Sequence, residues 1–337
     1  MTRIFTAGAE AGTTDVISVV SGVTASTTLK RSGAYSFKFI STANYITEVL
    51  TASKTEIYMR IAFYITGLTG ANGKWAPLVH FLDSAGNYQF ALTANAVTYL
   101  LEIHLGDITT TVLASGGLIV LNQWTCIEIR YLIANSGGRF VVKQDGAIII
   151  DYTGDTQSTA LTEIDMFRLG HTYPFGFSGY VDDLAVNDTA GAVNNSWIGR
   201  GGIVVGLPEE AGTYTDLHAS AGDAWDCINE VPPSDADYVS DNAIDQKSTY
   251  GLTALVPATG DIACINVIMR ALQDAAGTAN IARLIRSNGV DSQGSDVGLS
   301  VSAKTIQENI ETDPGQAPGT AWTIAAVNAL QAGAVVR

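Results

Sequence analysis

The chain has 337 residues, of which 47% are hydrophobic and only 15% charged, and its formal net charge is −15 with a pI near 4.5. This length accommodates two ordinary domains, each with its own core, and the low charge fraction argues against disorder. So acidic a surface excludes the phosphate neutralisation on which nucleic-acid binding depends and disfavours insertion at anionic membranes.

The opening "MTRIFTAGAEAGTTDV" holds no apolar run behind a basic start, so synthesis without a secretory leader is expected. No stretch approaches the roughly 18 apolar residues of a membrane span. Period-two alternation and β-branched residues then dominate. The clearest strands are residues 35–40, 56–65, 76–82, 88–94, 98–105, 125–133, 139–144 and 147–153. Turn signals separate them: "TGANGK", "DSAGN", "NSGG" and the Asp145-Gly146 pair, a strong two-residue hairpin signal. Many short strands at this spacing predict a sandwich or jelly roll.

Composition shifts around residues 187–202, which are rich in Asn, Gly and Thr, and a domain junction is expected there. The chain therefore reads as a domain over 1–190 and a second, smaller β-rich domain over 191–337. In the second, "GIVVGL" (202–207) is a strand, and residues 262–273 and 279–287 form a hairpin around "DAAGT". Near the end, "AWTIAAVNALQAG" places Ile324, Val327 and Leu330 on one helical face, with Gly333 suited to the helix C-cap. Cys126, Cys227 and Cys264 lie far apart without CxxC spacing and read as buried free thiols of a reducing compartment.

"AGAEAG" near the start, "RSGAYSFKF" (31–39), "QWTCIEIRY" (123–131), "FVVKQDGAIIIDY" and "FSGYVDDLAV" (177–186) occur in an order that resembles the concanavalin A-like, laminin-G-type jelly-roll family. "NNSWIGRGGIVVGLPEEAGTYTDL", "INEVPPSDADYVS", "STYGLTAL" and "AWTIAAVNALQAG" resemble the C-terminal half of phage virion structural proteins that carry such a domain in front. The resemblance implies a particle component, a capsid decoration or tail-associated protein; the strand pattern, the absence of a complete catalytic set and the missing signal lead to the expectation of an all-β, non-enzymatic chain assembled in the host bacterial cytoplasm. Its implied partners are its own copies, with a trimer expected, and other virion proteins. The alternative is a glycan-binding adhesin that meets a host-surface glycan.

"TEIDMFRLG" (162–170) puts Glu163 and Asp165 on one side of a strand, like the start of a retaining-glucanase motif. The next acid is missing: Phe167 and Arg168 occupy its positions, and arginine takes no acid/base role at neutral pH. Phe167 and Leu169 are expected inward and Arg168 outward. Asp182, Asp183 and Asp188 are candidate calcium ligands at a sandwich edge, although alternation sends the first two to opposite faces; no other cofactor is expected. The loop "GHTYPFGFSG" (170–179) carries His171, Tyr173, Phe175 and Phe177, which can stack on a sugar ring or serve their own sandwich. His80, His104, His171 and His218 show no zinc-hydrolase spacing. Asp235, Asp237 and Asp241 form a cation site or, as is usual for such a loop, a solvated acidic surface, and Arg270, Arg283 and Arg286 read as partners of acids within the chain or on a neighbouring copy.

Overall fold

A computed structural model describes residues 2–108, 111–255 and 259–337. The chain divides into two units. Residues up to Ala9 together with Ile17–Ile203 form the first, and Glu10–Val16 with Val204–Arg337 form the second. No helix is long and apolar enough to cross a membrane among the described residues.

Among the described residues, the regular elements of the first unit are all strands. In chain order they are β1 (Arg3–Ala7), β2 (Val19–Ser21), β3 (Val23–Ser26), β4 (Ser36–Phe39) and β5 (Tyr45–Lys54). Next come β6 (Glu56–Thr69), β7 (Trp75–Leu82), β8 (Tyr88–Asn95), β9 (Leu100–Leu105) and β10 (Val112–Leu118). The series closes with β11 (Trp124–Leu132), β12 (Gly138–Gln144), β13 (Ala147–Gly154), β14 (Ile164–Gly170) and β15 (Gly176–Asp188). They assemble into two antiparallel sheets, one in the order β13-β12-β11-β6-β15-β4-β3 with β1 on β15, the other β10-β9-β8-β7-β14-β5-β2. The expected jelly-roll sandwich is therefore present.

Alternation decides what each sheet buries. Phe81, Phe90 and Phe167 are cross-strand neighbours on one face of the second sheet. They meet Tyr131, Phe140 and Phe5 from the first: Phe90 stacks on Phe140 at 4.3 Å, Phe81 lies 5.0 Å from Tyr131, and Phe167 meets Phe5 edge-on at 5.7 Å. All six are essentially inaccessible to solvent, so the aromatic layer between the sheets supplies much of the burial that holds the unit together. The β12–β13 turn is closed by Asp145 and Gly146 with φ of 50° and 91°, the left-handed pair a two-residue hairpin demands.

The second unit contains β16 (Pro208–Thr215), β17 (His218–Ala219), a 3₁₀ turn at Asp226–Ile228, β18 (Val239–Ser240) and β19 (Lys247–Leu252). β20 (Ile265–Ala271), β21 (Asn280–Ser287), β22 (Val290–Gln293), β23 (Val297–Gly298), β24 (Lys304–Ile310), α1 (Ile324–Asn328) and β25 (Gln331–Val336) follow. Its largest sheet runs β16-β19-β25-β21-β22, with β23 also on β21. Ile285, Ile310, Trp322 and Leu330 form its core, with Val327 and Ile265 against them.

Three expectations for this unit are corrected. The run 202–207 is not a strand, and pairing begins at Pro208. β20 and β21 do not form a hairpin, since β20 pairs with β24 while β21 pairs with β22 and β25. Gly333 is not a helix cap: α1 spans five residues, capped at its start by the Thr323 side chain, and Gly333 lies inside β25 between Thr249 and Leu284. A Cβ there would stand 1.9 Å from the Ser248 carbonyl oxygen, so only glycine lets the strands close. Arg270, Arg283 and Arg286 pair within the chain, with Asp235, Glu308 and Asp291. Cys126, Cys227 and Cys264 are free thiols, the first two buried and Cys264 only partly so.

Glu48 is the cross-strand partner of Phe167 and so points into the apolar side of its sheet. There its carboxylate accepts the backbone N–H and hydroxyl of Ser18 at 2.9 and 3.0 Å. Burial outweighs these bonds and raises its pKa to about 7 from 4.5. The folded state therefore holds a proton that the unfolded chain releases. The stabilising contribution is complete below about pH 4.5 and is lost as pH rises through 7. Glu48→Gln is expected to leave Tm nearly unchanged at pH 4.5 and to stabilise by on the order of 1–3 kcal/mol at pH 8, read by thermal melts across pH.

Candidate functional site: the polar face of the β7–β8–β14 sheet

The register that sends Phe81, Phe90 and Phe167 inward sends their neighbours to the opposite face. Thr47, Arg168, His80, Ala91 and His104 stand in one cross-strand row over β5, β14, β7, β8 and β9. Arg168 is half-exposed. Its Nε donates to Thr47 Oγ1 at 2.9 Å and its Nη1 to Tyr88 Oη at 3.0 Å. Its guanidinium carbon lies 5.1 Å from the Tyr45 ring centroid and 6.0 Å from that of Tyr88. Two aromatic faces and two hydroxyls thus fix the cation in place.

The loop after β14 folds over this row. His171 lies 5.2 Å from His80, 4.6 Å from Phe175 and 5.4 Å from Tyr173, ring centre to ring centre. Tyr173 and Phe175 are nearly parallel, with 18° between their planes, and Tyr173 is 62% exposed. Ala71, Ala91 and Ile108, with Trp75 and Phe175 against them, make a small apolar cap. Beneath it the polar row continues: Thr93 Oγ1 meets His104 Nε2 at 3.1 Å, and Asn95 donates to Glu102 at 3.2 Å.

Burial also sets the charge of the site. His80 is fully buried and held well below the ordinary histidine range, first by desolvation and then by His171 and Arg168. His171 is lowered to about 4, again chiefly by burial, with the Asp107 carboxylate working in the opposite direction. Both imidazoles are therefore neutral at physiological pH. Burial raises the Tyr88 hydroxyl and keeps it protonated.

Of the residues singled out in the sequence, His171, Tyr173 and Phe175 come together. Phe177 does not join them. It is inaccessible and packs against Phe39 at 4.7 Å and Phe63 at 5.4 Å, between the sheets. Gly176, with φ of 150°, starts β15 and separates the loop rings from this core ring. Phe167 and Leu169 are buried as expected, while Arg168 meets hydroxyls and rings in place of an acid. Glu163 accepts from Ser84 and Asp165 from Ser53 Oγ at 2.9 Å.

Asp182, Asp183 and Asp188 do not converge. Asp182 lies opposite Ala62 and Asp188 opposite Ile57, five residues along β6 and so roughly 16 Å away. Asp182 accepts the backbone N–H groups of Arg31 and Asp183 at 2.8 and 2.7 Å. Burial and the adjacent Asp183 raise its pKa. Asp183 sits in a bulge at φ 55° and binds Arg31 Nη1, Ser32 Oγ and the Ile203 N–H. Asp188 pairs with Lys54 at 2.8 Å and accepts the Ala190 N–H at 3.0 Å. These oxygens face N–H and O–H donors, where a calcium ion needs lone pairs.

Sequence reasoning named Arg168 and His80 without giving them a site role, and it missed Tyr45, Tyr88 and Asp107. They are scattered over more than a hundred residues, and only the ladder register aligns them.

No protein family and no curated protein matches this chain. Among solved structures it is similar to an endo-β-1,4-glucuronan lyase from the fungus Trichoderma reesei, with 13% identity over 56% of this chain and 96% of that one and a TM-score of 0.42. It is also similar to domain 4 of an extracellular arabinanase from Geobacillus stearothermophilus, solved with arabinotriose, at 12% identity, 56% and 92% coverage and a TM-score of 0.42. A third is a carbohydrate-binding module of Bacillus subtilis, at 14% identity, 50% and 94% coverage and a TM-score of 0.34. The expectation of a non-enzymatic chain is corrected: the acid missing at Phe167 and Arg168 removes only the retaining hydrolysis that needs it, and bears on no other chemistry.

The different surroundings of the loop rings predict different costs. Phe177→Ala is expected to destabilise by about 3–5 kcal/mol and Tyr173→Ala by less than about 0.5 kcal/mol, compared by urea denaturation.

Proposed function

We propose that the first unit binds a carboxylate-bearing polysaccharide on the polar face of the β7–β8–β14 sheet. Arg168 is the observation that carries this reading. Among the described residues it has no ion-pair partner within 4 Å, and its hydrogen bonds go to neutral hydroxyls. A half-exposed guanidinium held in this way keeps its charge and remaining donors for an incoming carboxylate, which it can grip in bidentate fashion. Tyr173 and Phe175 offer parallel apolar faces for a sugar ring, with the Tyr88 hydroxyl as a neutral donor beside them.

The test is calorimetric titration with a polyuronate and with a neutral β-glucan, followed by ultraviolet detection of unsaturated uronate ends to learn whether the bound chain is also cleaved. Binding of the polyuronate alone is expected, weakened about 10–100-fold in Arg168→Ala and reduced by salt. Equal affinity for the neutral glucan, or binding indifferent to Arg168→Ala, overturns the reading.

The sequence resemblance supports a phage particle as the setting, with the second unit meeting its own copies or other virion proteins. Immunogold labelling of purified particles with an antibody to this chain is expected to decorate them. A chain absent from the particles leaves glycan binding without that setting.

A further inference from the structure

Beside Arg168 lie three groups that glycan binding does not use. His80 is inaccessible in the middle of β7, and apart from a weak backbone contact at Gly170 neither ring nitrogen makes a hydrogen bond of standard geometry. Buried polar atoms ordinarily find partners, and a fully buried imidazole with no more than this one backbone contact calls for an explanation. His171 and Asp107 supply one: the three side chains each place a ligand atom within 4.8 Å of the others, and no other such group of His, Cys, Asp and Glu occurs among the described residues.

We propose that His80, Asp107 and His171 bind a divalent first-row transition ion of the Zn²⁺ class. Two imidazoles with one carboxylate form a donor set suited to such ions, leaving at least one coordination position for water or an exogenous oxygen. Calcium and magnesium favour all-oxygen shells, and two of these three donors are nitrogen. The guanidinium of Arg168 opposes the ion's charge, so Asp107 is the group that offsets it.

Tetrahedral ligands at 2.0–2.1 Å from zinc stand about 3.3–3.5 Å from one another, so the set draws together by up to about 1.5 Å. His80 is fixed in a strand, whereas Asp107 lies between β9 and β10 and His171 follows β14, so the loops supply the movement. His171 Nδ1 accepts the Tyr173 N–H at 3.1 Å. Coordination through Nδ1 takes that lone pair, and coordination through Nε2 requires a proton on Nδ1. Either way the Tyr173 contact breaks, and metal uptake is coupled to the exposed tyrosine.

The experiment uses the full chain, stripped with a chelator and titrated with Zn²⁺ by calorimetry and with Co²⁺ by visible spectroscopy. One equivalent is expected, with the intense d–d bands of a low-coordinate cobalt site and a change in tyrosine fluorescence. Asp107→Asn, at a half-exposed loop position that leaves the sheet intact, and His80→Ala are each expected to weaken uptake by at least about 100-fold. His218→Ala, at the exposed His218–Asp241 pair, is expected to leave it unchanged. No stoichiometric uptake, or uptake unaltered by Asp107→Asn in a chain with native circular dichroism, overturns the site. Because the titration contains no glycan, its outcome is independent of the polysaccharide reading.

Discussion

The pleat of a β-strand allows a residue to face only one side, and in this molecule that constraint joins the core to the site. Phe81 and Phe167 are cross-strand partners committed to the aromatic layer between the sheets. His80 and Arg168, one position away on each strand, are therefore committed to the other face. A slip of one residue in the β7–β14 ladder would place a guanidinium and an imidazole among phenylalanines, at the cost of burying polar groups without partners. The penalty for losing the core register is also what keeps the polar row aligned, so the site needs few dedicated contacts of its own.

The polar face is unusual in being largely covered. His80, Thr93 and His104 are as inaccessible as the phenylalanines behind them, because Ile108 and Phe175 from loops and Trp75 from the start of β7 close over them. Burial keeps the two imidazoles of His80 and His171 neutral and leaves Arg168, at the edge of the cap, as a partly accessible cation. A face of this kind combines a dry interior with a charged lip, a setting in which electrostatic contacts are stronger than on an open surface.

How legible this was from sequence differs between fold and site. Strands such as β6, β11 and β13 combine alternation with β-branched residues, and the Asp145-Gly146 turn fixes its hairpin locally, so they could be read directly. β10, with "ASGG" in its middle, lacks such a signal. In the second unit a local turn suggested a β20–β21 hairpin, but β20 found its partner some forty residues later, where tertiary packing outweighed proximity. Gly333 had the look of a cap because glycine serves both caps and close strand approaches, and the sequence does not say which. The aromatic loop announced itself by composition, yet Phe177 fell on the far side because the backbone turns at Gly176. Arg168 and His80 are 88 residues apart, and nothing short of the ladder register brings them side by side.

The way the chain is divided between its units bears on its biogenesis. Residues 10–16 belong to the second unit although 187 residues of the first intervene before that unit resumes at Val204. During translation this heptapeptide is made before Ile17–Ile203, yet the strands it joins are not made until the ribosome has passed that whole stretch, roughly 10–40 s later. The first unit must therefore mature around an unsatisfied tether, and a ribosome that stalls past Ile203 yields a finished sandwich bearing an orphan segment. Separate expression of the two halves by a single cut carries the same defect, because no one breakpoint returns the heptapeptide to its own unit.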